Sequence, residues 1–386
     1  MAMPDDGMAP LQVVGRLDRL RELFEGSAAA DGPVDALLVT TPANIRWLSG
    51  FSGSAGVLLV TGDRAVLATD GRYRTQSTEQ LAAAGVDGAI SVRVGGVQAQ
   101  RGALADVAAG AGRLGLEADH VTWAAQRSWA ELFADAQLSP TRGVVERMRV
   151  VKDAGEVARM QRAATIADGA LASVLPLLAA AGSTSGSKEV LTESRFAAAL
   201  DHAMRLQGAE DRAFETIVAS GENSAKPHAR PGSRWIRAGD PVVVDFGAVY
   251  DGYRSDMTRT FCVGGSPAGE LATVFEVVAE SQRIGVDRVE PGVATGDVDL
   301  ACREVIAASG WGERFEHGTG HGVGLDIHES PSVGPGSTAI LVPGTVVTVE
   351  PGVYLPGTGG VRIEDTLVVT EDGSRSLTQF PKEVAV

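Results

Sequence analysis

The chain has 386 residues, 44% hydrophobic and 22% charged, and its 34 basic and 49 acidic residues leave a net charge of −15. That composition excludes a mainly disordered polymer and fits one large or two ordinary globular domains. The acidic balance argues against nucleic acid and anionic membrane surfaces as partners. Two cysteines, Cys262 and Cys302, exclude a disulfide framework and suit a reducing cytoplasm.

The opening Met1-Ala-Met-Pro-Asp-Asp-Gly carries neither a basic nor an apolar leader region, so no secretory signal is expected. Residues 1–12 read as a flexible tail. Helical spacing follows over Leu17 to Phe24, then a strand from Val34. Two more strands, Gly56 to Val60 and Arg64 to Ala68, flank a Gly62-Asp63 turn, and Gln76 to Ala84 reads as a helix. This alternation predicts an α/β domain over residues 13–143, closed by a boundary at Pro140-Thr-Arg-Gly.

Residues 144–386 form the second expected domain. Asp153-x-x-Glu156 is a capping box, and Val157, Met160, Ala164, Ala167 and Leu171 make one apolar helical stripe behind it. The longest apolar stretch, Ala170 to Ala181, is broken by Ser173 and Pro176, so no membrane span is expected. A loop is predicted over Gly182 to Lys188 and a helix over Thr192 to Leu206. Beyond it the chain is rich in strands and glycine, with no repeat of 20–50 residues.

Two β-rich arms flank Asp251-Gly252, a two-residue hairpin signal because both positions tolerate positive φ. That turn pairs Asp245 with Thr258 and Gly247 with Asp256. Asp245 and Asp256 then share one face as diagonal neighbours, roughly 7 Å apart at the backbone. Two solvated surface acids are the plain alternative. Against it, Asp245 follows Val242-Val243-Val244, which reads as a buried strand, and a buried carboxylate needs a cation.

Three of six histidines fall in His317-Gly-Thr-Gly-His321-Gly-Val-Gly-Leu-Asp-Ile-His328. The interleaved glycines predict loop and strand here, unlike the helical zinc motif. Glu350 follows the apolar run Gly344-Thr-Val-Val-Thr-Val, and Glu364 follows Gly360-Val-Arg-Ile. Each is an acid in a strand that otherwise reads as core, or else an edge-strand surface charge. Four carboxylates carry the charge that two divalent cations neutralise, and an imidazole adds a nitrogen ligand. Such a set suits manganese, cobalt, iron or zinc over copper or an iron–sulfur cluster.

Taken in order, these motifs resemble the pita-bread metallopeptidases, in the proline-directed branch of aminopeptidase P and prolidase. The resemblance rests on Asp245-x-Gly with Asp256 eleven residues on, His317-Gly-Thr-Gly-His321-Gly, Glu350-Pro-Gly-Val-Tyr354 and Val361-Arg362-Ile-Glu364-Asp. It implies an α/β (α+β) chain with a pita-bread catalytic domain and a smaller amino-terminal α/β domain of creatinase/prolidase type. Pro42-Ala-Asn-Ile-Arg-Trp and Thr69-Asp-Gly-Arg-Tyr resemble that smaller domain, with Asn44 where some aminopeptidase P enzymes carry an acid.

By the same resemblance the metal ligands are Asp245, Asp256, His321, Glu350 and Glu364. Asp256 and Glu364 bridge two metals, a bridging hydroxide is the nucleophile, and Glu350 is its general base. His228 is the substrate-side histidine, His317 and His328 line the site, and Tyr354 and Arg362 support the ligands. The implied cofactors are two divalent ions, manganese first, with cobalt, zinc or iron as alternatives. The implied activity is removal of an N-terminal residue that precedes proline, with prolidase action on Xaa-Pro dipeptides as the alternative. The implied partner is a peptide with proline second, and the implied assembly is a cytoplasmic homodimer. All five ligands are present, which sets aside a metal-free creatinase-like hydrolase and a non-catalytic binding protein.

Overall fold

The structure, a computed structural model, describes residues 7–24, 32–181 and 190–386. The expected loop over Gly182 to Lys188 and the first six residues of the expected tail lie outside the described residues. The chain divides into two compact units, Pro10–Arg149 and Val150–Val386, with residues 7–9 counted in the second.

The first unit contains one mixed sheet of β1 (Ala36–Val39), β2 (Gly56–Thr61), β3 (Ala65–Thr69), β4 (Ser91–Val94), β5 (Arg113–Glu117) and β6 (Gln137–Thr141). Their spatial order is β4-β3-β2-β1-β5-β6. The β2–β3 hairpin closes around Gly62-Asp63 as expected, with Val60 opposite Ala65. Helices α1 (Arg16–Glu22), α2 (Pro42–Ser49), α3 (Arg74–Ala83), α4 (Val97–Ala108), α5 (Trp123–Leu132) and α6 (Val144–Arg149) complete it.

The predicted boundary shifts in two ways. Pro140 lies in the edge strand β6, where its missing N–H costs no ladder bond. The division falls after Arg149 instead of at 143, because α6 buries Val144, Val145 and Arg149 within the first unit. Arg149 donates to Asn44 Oδ1 at 2.7 Å, and Asn44 Nδ2 donates to Glu117 and Glu146 at 2.7 and 2.6 Å. Asn44 is therefore a fully buried bonding centre of this unit.

In the second unit α7 (Ala154–Ala181) opens on the expected capping box. Asp153 N donates to Glu156 Oε2 at 3.0 Å, and Glu156 N donates to Asp153 Oδ1 at 2.9 Å. By length and composition α7 could cross a membrane. Its stripe of Met160, Ala164, Ala167 and Leu171 is buried, Val157 is half-buried, and α8 (Glu193–Leu206) packs alongside. Together α7 and α8 cover the antiparallel strands β8 (Ile217–Ser220), β9 (Pro241–Phe246) and β12 (Met257–Cys262) through Phe196, Leu200, Val218, Val242, Val244 and Phe261. The short strands β7 (Asp211–Arg212), β10 (Ala248–Tyr250) and β11 (Tyr253–Arg254) form a neighbouring sheet.

A second helix pair, α9 (Glu270–Asp287) and α10 (Thr295–Ala308), covers β13 (Gly320–Gly322), β14 (Glu329–Val333), β15 (Val346–Val349), β16 (Gly352–Leu355), β17 (Gly359–Arg362) and β18 (Asp365–Val369). A last strand, β19 (Ser374–Ser376), edges β18. Buried threonine hydroxyls join the two halves. Thr260 Oγ1 donates to Arg362 O at 2.7 Å and accepts from Arg362 N at 3.0 Å, while Thr366 Oγ1 donates to Asp256 O at 2.7 Å. These bonds bring the Asp245–Asp256 hairpin against the strands that flank Glu364.

Candidate active site

The hairpin forms in the expected register. Asp251 and Gly252 have φ of 43° and 72°, Tyr250 faces Tyr253, and Asp245 faces Thr258. Asp256 and Glu364 each lie in a short gap between strands, β11 to β12 and β17 to β18. Glu364 was expected within a strand; the ladder pauses there, which frees its backbone N–H to donate to Thr258 O at 3.1 Å. Glu350 comes directly after β15. Strand interruptions thus turn these acids toward one space that the regular ladder would keep closed.

Oxygens of Asp245, Asp256 and Glu364 lie within 4.8 Å of one another, and all three side chains are buried. Two of their oxygens, Asp245 Oδ1 and Glu364 Oε1, are buried without a hydrogen-bond partner. The second oxygen of each of these two is held: Arg362 Nη2 donates to Asp245 Oδ2 at 2.6 Å, and Thr258 Oγ1 donates to Glu364 Oε2 at 2.7 Å. His321 Nε2 stands 3.6 Å from Asp256 Oδ2 and 3.4 Å from Glu350 Oε1. Its Nδ1 is 2.9 Å from Gly322 O, which can only accept, so Nδ1 carries the proton and Nε2 presents a lone pair to the carboxylates. That is the tautomer a metal ligand requires.

Electrostatics favour a cation beside these carboxylates. Burial first, and then the neighbouring Glu364, Asp245 and Glu350 charges, push Asp256 well above the carboxylate range. Burial also raises Glu364, and it pushes Glu350 up to about 7. Burial lowers His321 and His328, and takes His317 down to about 4, so these rings are neutral near pH 7. Clustered acids with unpartnered buried oxygens beside a neutral imidazole fit divalent cations.

Arg362 ties the surrounding residues together. Its Nη1 donates to Tyr354 Oη at 2.9 Å, and its Nε donates to Thr258 Oγ1 at 3.1 Å. His317 Nδ1 donates to Gly318 O at 2.8 Å, so its Nε2 accepts from Tyr354 Oη at 2.9 Å. His328 packs edge-on to His321 with centroids 4.5 Å apart. His228 is exposed at the rim of a cavity of 330 Å³ that holds all five expected ligands together with His317, His328 and Arg362. Tyr354 stands behind Arg362 and outside this lining.

Sequence reasoning missed the apolar wall of Phe214, Ile217, Pro227 and Ile327, and the hydroxyls of Thr258 and Thr348. No motif distinguishes those residues from ordinary core positions. Gly320 permits a close approach beside His321: a Cβ there would meet Thr348 O at 2.1 Å, so only glycine lets His321 approach Glu350.

The model of metallopeptidase family M24 matches residues 158–371, and that of the creatinase/prolidase N-terminal domain matches residues 16–151. The Xaa-Pro dipeptidase of Pyrococcus furiosus is 32% identical over 371 residues, covering 96% of this chain and 99% of that one. The solved Xaa-Pro dipeptidase of Bacillus anthracis superposes with a TM-score of 0.88 at 36% identity, covering 97% of this chain and all of that one (100%). The X-Pro aminopeptidase of Thermotoga maritima superposes with a TM-score of 0.83 at 32% identity, covering 96% and 100% of the two chains. The two-domain pita-bread architecture expected from the motifs is the one these matches describe.

Proposed function

The chain belongs to metallopeptidase family M24, and from that premise we propose that it is an Xaa-Pro dipeptidase. This reverses the order expected from the motifs, which put aminopeptidase P first. The dipeptidases of Pyrococcus furiosus and Bacillus anthracis support the change, the latter at 36% identity and a TM-score of 0.88 against 32% and 0.83 for the Thermotoga maritima aminopeptidase. The observation that carries the chemistry is the group of Asp245, Asp256 and Glu364, with two buried oxygens unpartnered.

Asp245, Asp256, His321, Glu350 and Glu364 would hold two divalent cations, with manganese our first choice. Such a pair lowers the pKa of a water and polarises the scissile carbonyl. The remaining work belongs to the side chains. Arg362 orients Asp245 through the 2.6 Å bond. Glu350, the proposed general base, is oriented by Thr348 Oγ1, which donates to its Oε1 at 3.2 Å. His228, His317 and His328 line the cavity, and a ring N–H of His228 or His328 would stabilise negative charge developing on the carbonyl oxygen. Phe214, Ile217, Pro227 and Ile327 offer an apolar wall to the proline ring. A cytoplasmic homodimer completes the proposal, and sedimentation of the purified protein checks the dimer.

One observation favours the second reading, aminopeptidase P. Among the described residues lining the cavity, Arg362 is the one guanidinium or ammonium, and it is committed to Asp245, Tyr354 and Thr258. A dipeptide places a free carboxylate beside the scissile bond, whereas a longer peptide does not. Manganese-restored protein should therefore be given an Xaa-Pro dipeptide and an Xaa-Pro-Yaa tripeptide. A higher kcat/KM on the dipeptide is expected. A tenfold preference for the tripeptide would replace dipeptidase with aminopeptidase, and cleavage of neither would end the Xaa-Pro reading.

A further inference from the structure

We infer that Asp299, on α10 and outside the proposed ligand set, is a positioning residue that sets both Glu350 and His317. The inference rests on the metallopeptidase reading above. Asp299 is 1% exposed in a helix whose other buried residues are Thr295, Val298, Cys302 and Ile306. A carboxylate in such a place costs free energy unless its oxygens are bonded. Both oxygens are bonded, each to a different path into the site.

Along the first path, Asp299 Oδ1 accepts from Thr319 N at 3.1 Å and from Thr319 Oγ1 at 2.8 Å. The carbonyl of Thr319 accepts from Glu350 N at 2.8 Å. One residue on, Gly320 abuts Thr348, whose hydroxyl accepts from His321 N at 3.1 Å and donates to Glu350 Oε1 at 3.2 Å. Thr319 therefore spaces the strand of His321 from the strand end that carries Glu350, and Asp299 holds Thr319 by both of its donors.

Along the second path, Asp299 Oδ2 accepts from Arg303 Nε at 2.7 Å. Arg303 Nη1 donates to Phe315 O at 3.0 Å, and its Nη2 donates to His317 O. The guanidinium lies 4.3 Å over the Phe315 ring, and that ring meets His317 edge-on at 5.1 Å. Arg303 thus holds the backbone and the ring of His317, and Asp299 holds Arg303. The two paths diverge, so loss of Asp299 disturbs metal holding and His317 together, whereas loss of Arg303 disturbs His317 alone.

The test is calorimetric titration of metal-stripped protein with manganese, joined to kinetics on an Xaa-Pro dipeptide at saturating manganese. Asp299→Ala should weaken one manganese equivalent by about 10–100-fold, the range typical of residues that orient metal ligands. It should also lower kcat by about 10–100-fold with KM changed less than about twofold. Asp299→Asn keeps one acceptor oxygen for Thr319 and should lose less of both. Arg303→Met should lower kcat while leaving manganese affinity within twofold of wild type. Manganese affinity and kcat both within twofold of wild type in folded Asp299→Ala and Asp299→Asn would overturn the inference. So would Arg303→Met weakening manganese as much as Asp299→Ala. If Asp299→Ala does not fold, Asp299→Asn and Arg303→Met decide. The titration needs no substrate, so it stands even where wild type cleaves no Xaa-Pro peptide.

Discussion

Stripping the metals should make this protein less stable as pH rises. Burial, against the pull of Arg362 and with the push of the Asp245 charge, raises Glu350 from 4.5 to about 7. Between those values the folded chain holds a proton that the unfolded chain has released, so the folded state binds more protons and stability falls with rising pH. The stabilisation is fully present below 4.5 and is lost as pH passes through about 7. At about 1.36 kcal/mol per unit, Glu350 alone removes about 2–3 kcal/mol. The lower figure allows for the 18% of its side chain open to the cavity. Asp256 and Glu364 are raised in the same direction and deepen the fall.

The assay is urea unfolding of chelator-treated protein at pH 5 and pH 8, with Glu350→Gln alongside. Wild type should be less stable at pH 8, and Glu350→Gln should lose about 2–3 kcal/mol less across that interval. Manganese should reverse the trend, because its carboxylate ligands bind it only when deprotonated. Equal or greater stability of the metal-free protein at pH 8 would refute the reasoning, as would parallel profiles for wild type and Glu350→Gln.

Removing a proposed ligand should be more severe than removing a rim residue. Asp256→Ala or Glu364→Ala should lose bound metal and nearly all activity, measured by metal analysis and peptide hydrolysis; near-normal values of both would sink the ligand assignment. His228→Ala should keep two metals per chain and lose rate, and loss of both metals would show that His228 had been misassigned. Gly320→Ala drives a Cβ onto Thr348 O, at 2.1 Å before any shift. Such overpacking costs about 1–3 kcal/mol, and separating His321 from Glu350 should weaken manganese binding as well; unchanged thermal midpoint and manganese affinity would argue that β13 shifts freely.

The capping box, the Asp251-Gly252 turn and the pairing of Asp245 with Thr258 were legible because each depends on residues close in the chain. Turn geometry sets hairpin register, and a period of two then places both aspartates on one face. The four acidic motifs stood out for a related reason: a charge beside a run of valines conflicts with burial unless a cation answers it. The domain boundary was less legible. Pro140 looks like a breaker until β5 makes it an edge-strand residue, and α6 joins the first unit only through buried contacts that include Arg149 with Asn44.

What the sequence by itself determined was the set of acids and histidines and the local turns that aim them. Only tertiary structure decided how they meet. Thr260 and Thr366 are unremarkable strand residues until their hydroxyls join the hairpin to the strands around Glu364. Asp299 is one charge on a helix until it accepts from Thr319 and Arg303. Local patterns report turns and faces, whereas these bonds join segments far apart in the chain. Their partners are chosen by packing, which no short stretch of residues encodes.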